Sequence, residues 1–400
     1  MSDSAFRFCD DLGPKTILHV YQPTIGLKGI VVVDNVAAGP SIGGVRMAPD
    51  VSLQECFRLA RAMTFKNAAA SLPHGGGKSV IFADPSMDAV RKEQLIRAFA
   101  KAIEPITDYI PGPDMGTNET AMAWVKDEIG RCVGLPRELG GIPLDEIGAT
   151  AYGVVASAEV ACEKLQLSLT GARIAVQGFG AVGKHAARFF DEKGAVLVAA
   201  ADSSGTVFDA DGIDVNALIA HKDQGNPIRD FSTGDKLDRE AVIGVECDIL
   251  IPAARPDVIR ADNQGTVKAE LVVPGANIGI TDEAEALLHK RGVLCIPDFI
   301  ANAGGVICAA VEYRGGTQVQ AFQVIDESIR TNTAEILKVA DRQRMLPREA
   351  AVTIAGERVR MAMCFGRWDS EPAYQRAGRN DSIRSKAEFM TPSSTQSETS

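Results

Sequence analysis

Histidine is scarce in this chain: five in 400 residues, no two closely spaced. A zinc centre needs several imidazole or thiolate ligands at short spacing, so no metal centre is expected. His19, His185, His221 and His289 read as surface or structural residues. The eight cysteines are scattered without one C-x-x-C pair, which fits reduced thiols in a cytoplasmic protein. Long apolar runs are missing too, and no stretch approaches the ~20 residues of a membrane span. An excess of basic residues is also absent. The 42 Lys and Arg against 52 Asp and Glu give a formal charge of −10, the wrong sign for a nucleic-acid or anionic-membrane partner. The opening MSDSAFRFCDD has no basic end followed by an apolar core, so no secretory signal is expected.

What remains is an ordinary globular composition, 46% hydrophobic and 24% charged. The length favours two domains over one core. In the first third, Gly29 to Asp34 is strand-like. Ser52 and Glu55 have capping-box spacing ahead of Leu53, Cys56, Phe57, Ala60 and Met63, a helical stripe running towards Lys66 and Asn67. From Arg173 the texture becomes strand, turn, helix: strand-like pieces at Arg173 to Gln177, Ala195 to Ala201, Asp248 to Ile251, Leu271 to Val273 and Val293 to Ile296, with a helical stretch at Thr281 to Lys290. That alternation predicts a doubly wound parallel sheet. Gln318 to Met363 reads as helix broken at Pro347, and the polar tail from Thr391 as disordered.

"SLPHGGGKSVIFADP", Ser71 to Pro85, resembles a phosphate loop at Gly-Lys-Ser, but the first glycine of that motif is Leu72 here. The apolar Val80, Ile81 and Phe82 then follow where a helix should open. A nucleoside-triphosphate role is excluded, and Lys78 requires another. "RIAVQGFGAVGKHAARFF" is the stronger signal. Gly178, Gly180 and Gly183 form G-x-G-x-x-G between an apolar strand and a helix, with Ala181 and Val182 at the helix start. The glycines serve a tight turn, close approach of a pyrophosphate and helix–strand packing; the helix N-terminus offers its free N–H groups. Asp202, after the next strand, stands where an acid would bond the adenosine ribose, which favours NAD over NADP. As bare turn punctuation these residues would not need that order.

Lys66 and Lys78 lie on either side of "NAAASLPHGGG", and Asp114 sits in the Pro/Gly-rich "YIPGPDMGTNE", read as a rigid turn. Desolvation and a neighbouring cation lower a lysine's pKa and make it a usable base. A solvated lysine and a turn aspartate are equally ordinary readings of each residue alone. The residues by themselves give a cofactor domain plus a candidate Lys/Asp site.

"GPSIGGVRM", "MTFKNAAASLPHGGGKSVI", "GPDMGT", "ATAYGVV", "GFGAVG" and "IPDFIANAGGVI" resemble, in that order, the motifs of the glutamate/leucine/phenylalanine/valine dehydrogenase family over roughly residues 25 to 365. The resemblance implies a two-domain α/β fold: an N-terminal substrate and oligomerisation domain over 1–145 and a Rossmann-type doubly wound cofactor domain over 146–330. C-terminal helices over 331–385 would pack back on the first domain, with a disordered tail over 386–400. It implies NAD(P)-dependent, reversible oxidative deamination of an L-amino acid to the 2-oxo acid and ammonia in a homo-oligomer, with Asp202 favouring NAD. Carried over by position, Lys66 would bind the substrate α-carboxylate, Lys78 would activate the attacking water, and Asp114 would relay protons to the substrate nitrogen. Thr150 would stand beside the nicotinamide, with Asn277 and Asn302 facing cofactor and substrate.

The same resemblance bears on the substrate. Glutamate enzymes of the family carry a lysine before the Gly-Gly corresponding to Gly43 and Gly44, where this chain has Ile42, and a serine where it has Ala309. Both departures resemble the branched-chain and aromatic enzymes. "GPDMGTNETAMAW" and "GIT" look more like the glutamate branch. An aliphatic amino acid is the expected substrate, with glutamate as the alternative unless Arg46 or another basic residue reaches the pocket. A non-catalytic NAD-binding regulator would not need Lys66, Lys78 and Asp114 together. A 2-hydroxy-acid dehydrogenase typically needs a catalytic histidine, and His74, the one near a motif, reads as lining the glycine turn.

Overall fold

The computed structural model describes residues 6–365. The expected disordered tail and the end of the expected C-terminal segment lie outside the described residues. A five-stranded sheet comes first: β1 (Thr16–Gln22), β2 (Leu27–Asn35), β3 (Ser41–Ala48), β4 (Gly75–Phe82) and β5 (Tyr109–Pro113), in the order β1-β2-β4-β3-β5. β1, β2 and β4 pair antiparallel, and β3 runs parallel to both β4 and β5. Alternate residues point to opposite faces. Val31, Val33, Met47 and Ile81 pack with α2 (Ala89–Ile103) and α3 (Glu119–Ile129) through Phe99, Ile96 and Met122. Val32 and Val80 pack with Cys56 and Ala60 of α1 (Leu53–Ala69) on the other face.

Two turns expected from sequence are strands. Gly75, Gly76 and Gly77 open β4, so His74 lines no glycine turn; its Nδ1 lies 3.0 Å from the Pro40 carbonyl. The glycines are needed because neighbours come too close for any side chain. A Cβ on Gly76 would lie 2.0 Å from the Thr64 nitrogen of α1, and one on Gly75 1.7 Å from the Asn35 carbonyl oxygen. Likewise "YIPGP" is β5, an edge strand where proline's missing N–H is tolerated. Asp114 stands at its end, its carbonyl accepting the Thr117 N–H at 2.9 Å.

After α4 (Leu144–Ile147) and α5 (Ala149–Leu165) comes a seven-stranded sheet. Its strands are β6 (Arg173–Gln177), β7 (Val196–Asp202), β8 (Gly205–Phe208), β9 (Asp235–Leu237), β10 (Ile249–Pro252), β11 (Leu271–Val272) and β12 (Leu294–Cys295), in the order β12-β11-β10-β6-β7-β8-β9. The first five in that order are parallel; β8 and β9, not expected from sequence, add an antiparallel edge. The five expected strands all form, Arg173–Gln177 at its expected bounds and the other four displaced or trimmed at their ends. The chain turns from one side of β6 to the other at β10, the switch point where such sheets bind ligands.

The helices of this half are α6 (Ala181–Glu192), α7 (Val215–Asp223), α8 (Asp282–Lys290), α9 (Asp298–Ala301), α10 (Gly304–Tyr313), α11 (Gln318–Gln343) and α12 (Pro347–Met363). Pro347 begins α12, where a missing N–H costs nothing. Residue 330, the boundary expected from sequence, falls inside α11. α12 lies against α1, and α10 brings Ala309 and Ala310 to Ile42, so the two halves share packed surfaces. No helix among the described residues is long and apolar enough to cross a membrane.

Candidate active site

Ser52 caps α1 as its spacing predicts, its hydroxyl accepting the Glu55 N–H at 3.1 Å. The Glu55 side chain does not complete a capping box; it takes Arg46 Nη1 at 2.5 Å. α1 thereby ends with Lys66 in its last turn, and Asn67 beside it donates from Nδ2 to the Gly75 carbonyl at 2.6 Å. That bond ties the end of α1 to the start of β4, the strand that carries Lys78.

Lys78 is 5% exposed, and its Nζ lies 2.8 Å from Asp114 Oδ2. Arg46 Nε reaches the same oxygen, also at 2.8 Å. Among the described residues nothing bonds Asp114 Oδ1. Burial pulls the Asp114 carboxyl upward, but Lys78 and Arg46 outweigh it and hold it below its usual range. Burial lowers Lys66 to about 8, with Asp298 opposing and Lys78 adding to the drop. Lys66, Lys78 and Asp114, spread over 49 positions of sequence, therefore form one electrostatic unit. Gly44 opens onto it: a Cβ there would lie 2.6 Å from Asp114 Cβ. Gly43 is turned elsewhere, its hypothetical Cβ against the Gly77 carbonyl and its own carbonyl accepting the Tyr109 hydroxyl at 2.8 Å.

Ile42 and Ala309 meet in a buried apolar cluster with Ile110, Val133 and Ala310, and Leu72 packs against it. Arg46 is committed to Asp114 and Glu55 and brings no free cation there. Sequence reasoning missed both Arg46 as the partner of Asp114 and the contributions of Ile110 and Val133. The β alternation of "SIGGVRM" places Ile42, Gly44 and Arg46 on one face and could have found the first.

At the switch point the three glycines divide their tasks. Gly178 has φ +99° and lies so close to Ala254 that a Cβ would meet its Cβ at 2.4 Å; on Gly183 a Cβ would meet the Gly178 carbonyl oxygen at 1.9 Å. Gly180 faces open space, with no atom within 4 Å of a hypothetical Cβ. It also begins α6 without a side-chain cap. Two positions serve the fold, and the open one fits the approach of a dinucleotide pyrophosphate to Ala181 and Val182 at the helix start. Gln177 Oε1, in the residue before Gly178, and Asn302 Oδ1 are buried without a hydrogen-bond partner among the described residues. Asn302 donates from Nδ2 to Asn277 Oδ1 at 2.9 Å, joining the two asparagines singled out in the sequence. Thr150, in the first turn of α5, packs its hydroxyl 2.9 Å from where a Gly305 Cβ would be.

Asp202 ends β7 as expected, but its carboxylate is already engaged. Oδ1 accepts from Ser204, and Oδ2 accepts Lys222 Nζ at 2.5 Å and the Ile228 N–H at 3.1 Å. Those bonds hold it at about 2 against the upward pull of burial. A ribose hydroxyl would have to share this carboxylate with Lys222.

Known proteins resemble this chain over both halves. The family model described as Glutamate/Leucine/Phenylalanine/Valine dehydrogenase matches residues 140–366, and the Glu/Leu/Phe/Val dehydrogenase dimerisation domain matches 14–131. A glutamate dehydrogenase from Aeropyrum pernix is 37% identical over 357 residues, 84% of this chain and 85% of that protein. An NADP-specific glutamate dehydrogenase from Saccharolobus shibatae is 38% identical over 292 residues, 70% and 69% of the two chains. Among solved structures, the hetero-hexameric glutamate dehydrogenase from Thermus thermophilus in its Leu-bound form superposes with a TM-score of 0.79 at 30% identity, covering 89% of this chain and 91% of that one. With both halves matched in order, the chain belongs to the glutamate/leucine/phenylalanine/valine dehydrogenase family and is an amino-acid dehydrogenase.

Proposed function

We propose that the protein catalyses the reversible NAD-dependent oxidative deamination of an L-amino acid with an apolar side chain, giving the 2-oxo acid and ammonia. The observation that carries the side-chain preference is the buried contact of Ile42 with Ala309 in a wholly apolar cluster. Lys66 holds the α-carboxylate. The turn of Gly178, Gly180 and Gly183, open at Gly180, would hold NAD, which when bound would supply the acceptor for the hydride leaving Cα. Lys78 removes a proton from the water that adds to the resulting imine. Asp114, with Oδ1 uncommitted, carries protons to and from the departing nitrogen. Thr150, Asn277 and Asn302 are assigned to the nicotinamide and the substrate, and the Asn302–Asn277 hydrogen bond supports a shared role for the last two.

A second reading has its own support: the curated relatives reported above are glutamate dehydrogenases, so over the whole chain glutamate is the better-backed substrate. The apolar cluster at Ile42 is the local feature that argues otherwise. For the cofactor, Asp202 supports NAD, while its pairing with Lys222 and the NADP-specific relative narrow the margin. A homo-oligomer is supported by the match of residues 14–131 to a dimerisation domain, and a cytoplasmic location by the composition. Initial rates of NADH and NADPH formation across a panel of L-amino acids test the proposal. Turnover with an aliphatic amino acid and NAD is expected; cofactor binding without any turnover would leave a regulator.

A further inference from the structure

One buried carboxylate belongs to none of the roles above. Asp298 opens α9 at "IPDFIANAGG" and is 5% exposed. Its Oδ2 accepts the Ile278 N–H at 2.7 Å, and its backbone carbonyl accepts the Asn302 N–H at 2.8 Å. Its Oδ1 lies 2.9 Å from Arg348 Nη2 on α12, whose Nε is paired with the buried Glu285 of α8 at 2.5 Å. Ile278 has φ +55° and is 48% exposed. A β-branched residue rarely adopts that left-handed conformation, and it persists only where the surroundings hold it. Here the Asp298 carboxylate does the holding, and the segment held includes Asn277.

We propose that Asp298 is a positioning residue whose carboxylate holds the Ile278 N–H, next to Asn277, and which, from α9 packed against the end of α1, supplies the negative charge that favours the Lys66 ammonium. The inference rests on the assignment of Lys66 to the substrate carboxylate. α1 packs against β2, β3, β4, α9 and α12. Their charged groups are Lys28 and Asp34, Arg46, Lys78, Asp298, and Arg348, Glu349, Glu357, Arg358 and Arg360. Asp34 is paired with Arg61, Arg46 with Asp114 and Glu55, and Arg360 with Asp11. Arg358 caps the end of α1 at the Ala69 carbonyl, and the Glu349 carboxylate takes the Leu346 N–H. Of these groups, Asp298 favours the charged form of Lys66 and Lys78 opposes it.

The test is the pH profile of kcat/KM for the 2-oxo acid of leucine, or 2-oxoglutarate if that is turned over faster, at saturating ammonium and NADH. In Asp298→Asn, which keeps the size and an acceptor for Ile278, the alkaline limb should move down by about one pH unit or more. The value of kcat at saturating substrate should change little, because bound carboxylate restores the charge on Lys66. Asp298→Glu should return the limb towards wild type. Arg348→Gln, which unmasks Asp298, should move it up, and this variant decides the matter if Asp298→Asn does not fold. A limb that stays in place, with kcat/KM lowered equally at every pH, would overturn the proposal. Lys66→Ala is run beside it: an unchanged KM there would sink the Lys66 assignment itself, whereas a steep rise with an unmoved Asp298→Asn limb would sink only this inference.

Discussion

Lys78 and Asp114 are held 2.8 Å apart from strands that are not hydrogen-bonded neighbours, since β3 runs between β4 and β5. The space for that contact exists because Gly44 of β3 has no side chain. A Cβ there would sit 2.6 Å from Asp114 Cβ and 2.9 Å from the Pro113 carbonyl oxygen. Gly44→Ala should therefore leave a folded, NAD-binding protein while displacing Asp114, with kcat reduced about 10²-fold, the usual effect of misplacing a catalytic group by an ångström. Steady-state kinetics with a cofactor-binding titration checks this; wild-type kcat would mean the pair tolerates the shift.

Removing the pair itself should be more costly. Lys78→Ala and Asp114→Asn are each expected to lower kcat by about 10²–10⁴-fold, the range for a positioned acid or base. NAD binding should survive in both, because Lys78 and Asp114 belong to the first sheet and the glycine motif to the second. A Lys78→Ala enzyme keeping more than half its turnover would make the lysine merely structural.

The cofactor half was legible because its signal is local. Strand, G-x-G-x-x-G and helix lie within one stretch, and each glycine's role follows from the backbone around it. The catalytic half was legible only as separate residues. Nothing local shows that Gly75 to Gly77 form a strand, since glycine is a poor strand former; the close approach of Thr64 and Asn35 decides it. Arg46 and Asp114 are 68 positions apart, and Lys222 is 20 beyond Asp202. Such pairings are set by tertiary packing and have no sequence periodicity to reveal them. Asp298 lies within "IPDFIANAGG", but its role is not legible there, because its partners Ile278 and Arg348 come from other elements.

A pH dependence follows from Lys66. Burial lowers it to about 8 despite Asp298. A lysine is charged only below its pKa, so carboxylate binding should be intact at neutral pH and lost as the pH rises through that value. The KM for a 2-oxo acid should climb about tenfold per pH unit on the alkaline side, with a flatter kcat. A KM that stays constant to pH 10 in buffered steady-state assays would contradict the burial of the ammonium.

Cofactor choice should respond to Lys222 as well as Asp202. Lys222 Nζ lies 2.5 Å from Asp202 Oδ2 and offsets the charge that would repel a 2′-phosphate. Asp202→Ala should narrow the preference for NAD, and Lys222→Ala should widen it. The ratio of kcat/KM for NAD to that for NADP measures both; movement in the same direction for the two variants would separate the pair from cofactor selection.

Ile42, Ala309, Ile110 and Val133 form one buried apolar cluster, and the proposed preference for an apolar substrate side chain rests on it. A substrate carboxylate buried there would lack a cation, because Arg46 is spent on Asp114 and Glu55, and an unpaired buried charge is far costlier than an aliphatic group. The most direct measurement is kcat/KM for leucine and valine against glutamate on the wild-type enzyme, with Ile42→Lys/Ala309→Ser measured in parallel. We expect an aliphatic substrate to win by about 10²-fold in the wild type, and the double variant to shift the ratio towards glutamate. Glutamate winning in the wild type, with no shift in the double variant, would contradict the account and leave a glutamate dehydrogenase whose side-chain carboxylate is held elsewhere.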